Sequence, residues 1–550
     1  DIPSVVATHT YIFVADVIDQ SVMSTAITNN PTWGPRMEES LLDLPTVSLV
    51  KTGGISTTET ETSMELIFPD GTTGFQIDCG VEHFGGHSLG SPKKNMRMSF
   101  KKAYGPSRLN YDIYGGDAAK EFDQILLRTG SHDTWFWTHP SGHGGIFIRG
   151  RWAFDRQQEA GHVAPHGRWV HVYINGTYHG MHHLMERPNA AFMASYLGGE
   201  KEEYEALNAG SPIDGDKSTW NTMKAALGDY EELQTMMDVQ NYVDYMLLQF
   251  YGGNDWDWNS SQNWSSASRK LPNASYKFFA WDSDVILRTT LNANVVNRGG
   301  PENMWNSIRN HDAFKLLLAD RAQKFLFNDG MFTRDRVLAQ FDELSARIEA
   351  AIIAETARWG GGSYTPATWR NEINEIKNDL IENRTEVTIG QLRSAGVFPS
   401  FDAPLFSQLG GEVQAGFELS LSLAGNASGG QIYYTFNGGD PIGDTLPPGS
   451  TETILFDQGI AAKALVPSEA NGGSALGDAW KGGAEPFDDS GWQTGTSGIG
   501  YDVGSSYDSL IGIDLQDMQG ANGSAFARIA FDLSQEQLDQ VDLLRLDMKA

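Results

Sequence analysis

The chain has 550 residues, 40% of them apolar and 20% charged, an ordinary globular composition spread over the length of roughly three or four domains. Forty lysines and arginines against seventy aspartates and glutamates give a formal net charge of -30, a field that repels phosphate backbones and anionic lipid surfaces. These figures argue against a single small module, global disorder, or a general role on nucleic acid or membrane surfaces, and the acidity suits salty or calcium-containing surroundings.

The chain opens on Asp1 rather than on methionine and a basic segment, and reads as a mature or trimmed fragment. Residues 1–43 form a lead-in with an apolar run from Ile12 to Ile18 and with Pro31 and Pro35 as punctuation. From Leu44 to about Tyr276 strand and turn signals alternate. The lone cysteine, Cys79, excludes a disulfide framework and reads as a buried small hydrophobe. Val170 to Ile174, Asn175-Gly176 and Thr177-Tyr178 predict a β-hairpin, because the Asn-Gly pair suits the left-handed turn. Trp220, Met223, Leu227, Tyr230 and Leu233 fall at helical spacing, and Tyr242, Met246, Leu247 and Phe250 predict a second helix capped by Asp238. Two more helices carry Val337, Phe341, Leu344, Ile348 and Ile352, then Trp369, Ile373, Ile376 and Leu380, with Gly360 to Gly362 between them. No apolar run reaches the roughly 18 residues of a membrane span.

After about residue 400 helical signals nearly vanish, so the predicted fold class is an α+β body followed by all-β modules. Gly430 to Pro441 reads as a strand, a glycine turn and an exit, and resembles the motif of chitobiase C-terminal-like β-sandwich modules. Trp480 to Trp492, with Gly498 to Tyr501, resembles the opening of a galactose-binding-like jelly roll that stops early, after the alternation from Leu543 to Ala550. Its aromatic and acidic residues suit core and turn duties, with a sugar platform or a calcium loop as the other reading. The domain boundaries therefore read 1–43, 44–400, 401–463 and 464–550.

The stretch from Tyr251 to Trp264 carries the densest chemistry. A helix ends at Gly252-Gly253, a polar loop brings Asp255, Asp257 and several amides including Asn263, and the strand from Tyr276 delivers Asp282 and Asp284 at its end. Hard divalent cations take oxygen ligands, and Mg²⁺ is commonly held by one or two carboxylates plus substrate phosphates. The same spacing also suits a solvated acidic loop or a structural calcium site. Trp256, Trp258, Trp264 and Trp281 crowd this loop, as core or as walls against water.

These residues resemble the CotH (spore coat protein H) kinase-like family, with its Asn-x-Asp loop, downstream Asn-Trp and Trp-Asp-x-Asp strand end. The resemblance extends upstream, through Gly86 to Phe100 with its Pro-Lys-Lys, Leu126 to Trp135 with its Leu-Arg, and Tyr173 to Arg187 with its hairpin and terminal glutamate. It implies an atypical protein-kinase-like body. In it Lys94, with Lys93 beside it, would bind phosphate, Glu186 would be its ion-pair partner, and Ser88 and Arg97 would join the lysines around ATP. Asp257 would be the catalytic base, with Asp255 competing for that role; Asn263 and Asp282 would hold Mg²⁺ or Mn²⁺, with Asp284 competing likewise. The segment from Gly85 to Gly90 can cover phosphates with backbone N–H groups. It matches the letters of a serine-hydrolase elbow, but it leads into Pro92 and a strand instead of a helix.

Eleven of the thirteen histidines lie between His83 and His183. His179, His182 and His183 invite a metal reading, but alternate strand positions face opposite ways, and packing is the better account. The functional expectation is a secreted or surface bacterial kinase that transfers the γ-phosphoryl of ATP to a protein hydroxyl. The alternative is a calcium-stabilised adhesion or polysaccharide-binding protein on an inactive scaffold. Neither implies nucleic acid or a membrane span.

Overall fold

Apolar residues at alternate positions face inward along six of seven strands, and Leu184 does so from the seventh, as the strands close on one another as a barrel in the computed structural model. The strands are β1 (Thr46–Val50), β2 (Thr60–Ile67), β3 (Phe75–His83), β4 (Met96–Ser99), β5 (Gln124–Arg128), β6 (Gly167–Ile174) and β7 (Thr177–Met185). Their order is β1-β2-β3-β4-β5-β7-β6, and a parallel pairing of β6 with β1, His171 opposite Thr46, completes the ring. Leu49, Met64, Cys79, Met98, Leu127 and Val172 fill the interior, and each leucine, methionine and valine contributes about 1.5–3 kcal/mol on full burial. The predicted hairpin is β6 and β7, with Asn175 and Gly176 at φ 50° and 76° in the turn.

The described residues are 8–137, 143–255, 258, 262–271, 274–427, 429–435, 455, 459–476, 480–481, 486–502, 508–519 and 524–534. They divide into two units, residues up to 403 with 424–427, and residues 404–423 with 428 onward. In the first unit the barrel is followed by a four-stranded sheet of β8 (Tyr204–Asn208), β9 (Ser211–Asp214), β10 (Ser265–Arg269) and β11 (Lys277–Phe279), ordered β9-β8-β10-β11. Its main helices are α1 (Arg149–Glu159), α2 (Val239–Gly252), α3 (Asp312–Leu326), α4 (Arg334–Ala346), α5 (Ala351–Trp359), α6 (Pro366–Ile376) and α7 (Glu382–Ser394). The Asp238 side chain accepts from the Asn241 amide at 2.9 Å and caps α2.

Other predicted helices are cut differently. The run from Trp220 to Leu233 breaks after a 3₁₀ turn at Ala226–Gly228, because Asp229 turns to accept from the Glu232 amide and starts a new short helix. The run from Val337 to Ile352 divides between α4 and α5. The run from Trp369 to Leu380 passes through a π-helical turn at Lys377–Ile381 into α7. Residues 8–43 are part of the first unit: Val17, Met23, Ile27, Met37 and Leu41 share a core with Tyr173, Tyr178 and Ile353.

In the second unit Ala461–Leu465 lies between Gln493–Thr496 and Phe526–Arg528 in an antiparallel sheet. Trp480 stacks on Phe526 with ring centroids 4.5 Å apart, and Trp492 is buried, so these aromatics are core. Of the expected strand from Gly430, residues 431–435 carry none, and 436–441 lie outside the described residues. No helix among the described residues is long and apolar enough to cross a membrane.

Candidate functional site

Strand β5 alternates across the barrel wall. Ile125 and Leu127 point inward, while Leu126 packs outside on Phe154, Met185 and Trp281. Arg128 follows on that outer side, its guanidinium 4.7 Å over the Trp281 ring and ion-paired to Asp282. The next residues of the same segment reach Asp284, whose Oδ2 accepts from the His132 amide at 2.7 Å with His132 Nδ1 3.5 Å away. The Leu-Arg segment and the Trp-Asp-x-Asp strand end, 154 residues apart in sequence at Arg128 and Asp282, thus form one cluster.

Asp284 is 4% exposed, and its Oδ1 is buried with no hydrogen-bond partner. Burial alone would raise its carboxyl, but the His132 hydrogen bond and the charges of His132 and Arg128 outweigh burial and hold it below the usual range. His132 answers in the opposite direction, with Asp284 overcoming burial to raise its imidazole. Beneath them Asp133 accepts from the Ile146 and Arg149 amides at 2.8 and 2.9 Å and pairs with the Arg149 guanidinium, which fixes the turn carrying His132. Asp282 and Asn263 both adopt the left-handed region, at φ 56° and 61°. Asp and Asn tolerate it best among side chains with a Cβ, and such strain gathers at functional sites.

The lysines do not follow the expected pairing. Lys93 is fully buried, with Nζ donating to Glu355 Oε1 at 2.6 Å and to the Met181 carbonyl at 2.5 Å. Lys94 is half-buried and donates to the Ser91 carbonyl at 2.8 Å. Glu186 faces elsewhere, accepting from the His166 amide at 2.8 Å and from the Tyr196 hydroxyl at 2.9 Å. Lys94 and Glu186 therefore form no ion pair; the fully buried lysine–glutamate pair is Lys93 with Glu355 of α5. The cause is local, since adjacent residues ahead of β4 face opposite sides and the inner one meets α5. Ser88 accepts from Asn95 Nδ2 at 3.2 Å, and Asn95 Oδ1 accepts from the Thr129 amide at 2.9 Å, tying the glycine-rich turn to the end of β5. Arg97 is ion-paired to Glu82.

Asp257 and Trp256 lie outside the described residues. Asp255 is half-exposed, and its carbonyl accepts from Arg298. Trp258 and Trp264 are fully buried core side chains, the latter stacked on Trp220 at 5.4 Å. Among the histidines, His182 meets His179, centroids 5.3 Å apart, across the irregularity at Gly180 (φ 99°), while His183 lies on Trp169 at 5.4 Å, facing away from His182 as alternation requires. Burial, with nearby Lys93, lowers His179 to about 3 and His182 well below its ordinary value. Among the described residues, the His/Asp/Glu side chains whose ligand atoms gather within 4.8 Å are instead His143, Glu372 and Glu375, with His143 Nδ1 3.0 Å from Glu372 Oε1.

Sequence reasoning missed Arg128, His132, Asn95 and Glu355 as partners. The first three stand inside the motif segments already singled out, whereas Glu355 carries no local signal. Asp284 offers a buried, unpartnered carboxylate oxygen, the kind of ligand a hard cation takes, while Asp282 two residues away is engaged by Arg128. The arrangement can gather positive charge and anionic oxygens at one strand end.

No curated protein matches the chain. Residues 81–388, more than half of the sequence, match the family model described as CotH kinase protein, and every residue of the strand-end cluster falls within that span. The chain belongs to the CotH kinase protein family.

Proposed function

We propose that this protein is a metal-dependent phosphotransferase moving the γ-phosphoryl of ATP to a hydroxyl of an extracellular or surface protein. The observation that carries the reading is the buried Asp284 oxygen without a partner, in a cluster with Asp282, Arg128 and His132, inside a kinase family match. Asp282, Asp284 and Asn263 would hold Mg²⁺ or Mn²⁺. A cation bound there would neutralise charge on the β- and γ-phosphate oxygens.

The chain's own residues do the rest. Arg128, stacked on Trp281, orients Asp282. Asp257, or Asp255 beside it, takes the acceptor hydroxyl proton while the acceptor oxygen bonds the γ-phosphorus and the bond from that phosphorus to the bridging oxygen breaks, releasing ADP. Lys94 supplies a point charge for phosphate beside the Ser88 turn. Lys93 acts indirectly, holding the barrel to α5 through Glu355.

Thermal unfolding with and without ATP, each in Mg²⁺, Mn²⁺ and Ca²⁺, tests the proposal. A ligand at about 100 times its dissociation constant adds roughly 2.7 kcal/mol. The expected result is stabilisation that needs ATP and Mg²⁺ or Mn²⁺ together; stabilisation by Ca²⁺ alone with no nucleotide response would overturn it.

A further inference from the structure

A cleft of ≈ 660 Å³ opens on the outer side of the barrel, lined by Arg97, Lys101, Lys102, Arg108, Arg187 and Lys201. Only two carboxylates, Asp123 and Asp214, line it as well, so it is a cationic pocket on a chain of net charge -30. Most of its cations are already engaged: Arg97 with Glu82, Lys101 with Glu59, Arg108 with Glu121, and Lys201 with Asp123 at 3.6 Å. Arg187 differs. It sits 5.2 Å from the Phe84 ring, which carries Arg97 at the same distance, and it donates to the neutral Gln124 Oε1 at 3.1 Å. Among the described residues it holds no carboxylate at ion-pair distance. Two guanidiniums share one aromatic ring, and Arg187 feels the carboxylates of Asp214, Asp123 and Glu82 without an ion pair to any of them. Burial and the nearby Arg97 lower Arg187 to about 10, well above neutrality, so it remains a cation.

Planar forks of this kind suit carboxylates and phosphates. Gln124 lines the cleft, and Arg128, four residues along the same strand and on the same face, holds Asp282. At roughly 3.3 Å per residue the two ends lie about 13 Å apart, a distance an extended peptide also covers in about four residues.

Resting on the phosphotransferase reading, we infer that this cleft binds an anionic side chain of the acceptor polypeptide, about four residues from the hydroxyl that receives phosphate. The shared chemistry is an oxyanion, supplied either by a carboxylate or by a phosphoserine already in the acceptor.

The test is fluorescence anisotropy on the full chain, without nucleotide, using labelled serine peptides that carry glutamate, phosphoserine or glutamine four residues on either side. Glutamate or phosphoserine peptides are expected to bind at least tenfold more tightly than the glutamine peptide, and the stronger of the two identifies the natural anion. Lys102→Glu combined with Lys201→Glu, both at exposed positions, should erase that difference without altering the unfolding temperature, and Arg187→Gln should do so independently. Equal binding of the anionic and glutamine peptides would overturn the inference, as would displacement of bound peptide by ATP, which would make the cleft the nucleotide site. Selective peptide binding with no nucleotide response in thermal unfolding would keep the cleft and sink the phosphotransferase reading. A nucleotide response with no anion preference would do the reverse.

Discussion

Asp284 spends one oxygen on the His132 amide and keeps the other buried and unpartnered, so an isosteric amide separates charge from shape. Asp284→Asn retains the acceptor for that amide and is expected to fold, while the joint stabilisation by ATP and Mg²⁺ disappears; an unchanged ligand shift in differential scanning fluorimetry would refute the assignment. Lys93 and Glu355 pose the opposite case, a fully buried ion pair. Lys93→Met leaves Glu355 charged in a dry interior and should cost about 3–5 kcal/mol, whereas replacing both by apolar residues should recover most of it. Urea denaturation of the single and double variants measures this. At this scale the residue types were legible and their partners were not. Lys93 and Lys94 are adjacent identical letters, and only the approach of α5 makes one a core ion and leaves the other near the surface.

Helix α2 delivers the acidic loop, and its C-terminal carbonyls need donors. Arg384 of α7, almost fully buried, supplies two: Nε donates to the Tyr251 carbonyl at 2.6 Å and Nη2 to the Phe250 carbonyl at 2.6 Å, while Nη2 also donates to the Ala293 carbonyl at 2.9 Å. Burial lowers its guanidinium to about 10, yet it stays charged. Arg384→Met strands several buried carbonyls and should cost more than about 3 kcal/mol. Arg384→Lys should recover little of this, since one ammonium cannot reproduce the planar fork; urea midpoints of the two variants decide. Gly253, at φ 57°, admits no side chain cheaply, because a Cβ there would lie 2.9 Å from the Arg384 guanidinium. The capped start of α2 and its terminal glycine pair were visible in sequence, as was the Asn-Gly hairpin, since both signals are local. Helix α3 keeps an apolar period in Phe314, Leu318, Ala322 and Phe325, but its buried Arg321 depends on Asp244, 77 residues away, a partner that no local pattern shows.

Across the whole molecule, several histidines are buried neutral. His171 donates from Nε2 to the Ser40 carbonyl at 2.8 Å and takes the Tyr178 hydroxyl on Nδ1 at 2.9 Å, and burial lowers it to about 4. His179, His182 and His183 are lowered as well, again chiefly by burial. The unfolded chain therefore binds more protons than the fold below about pH 6.5, and stability must fall as pH drops from there towards about 4, by up to about 1.4 kcal/mol per unit for each group. Unfolding at pH 5.5 should take up protons, detectable as a dependence of calorimetric enthalpy on the buffer's ionisation enthalpy. His171→Gln should lessen the slope of stability against pH in that range.

What the amino-acid sequence determined by itself is local or compositional: the α+β class, the β6–β7 hairpin, the capped α2, and the motif segments from Gly86, Leu126 and Trp281 onward that mark the family. Periodicity and turn chemistry act over a few residues, so neighbours suffice to read them. Tertiary structure alone decided the closure of the barrel, the choice of Glu355 for Lys93, the meeting of Arg128 and His132 with Asp282 and Asp284, and the gathering of cations around Phe84. Each of those joins residues far apart in the chain, and only the closed barrel wall with the helices packed against it brings them within bonding distance.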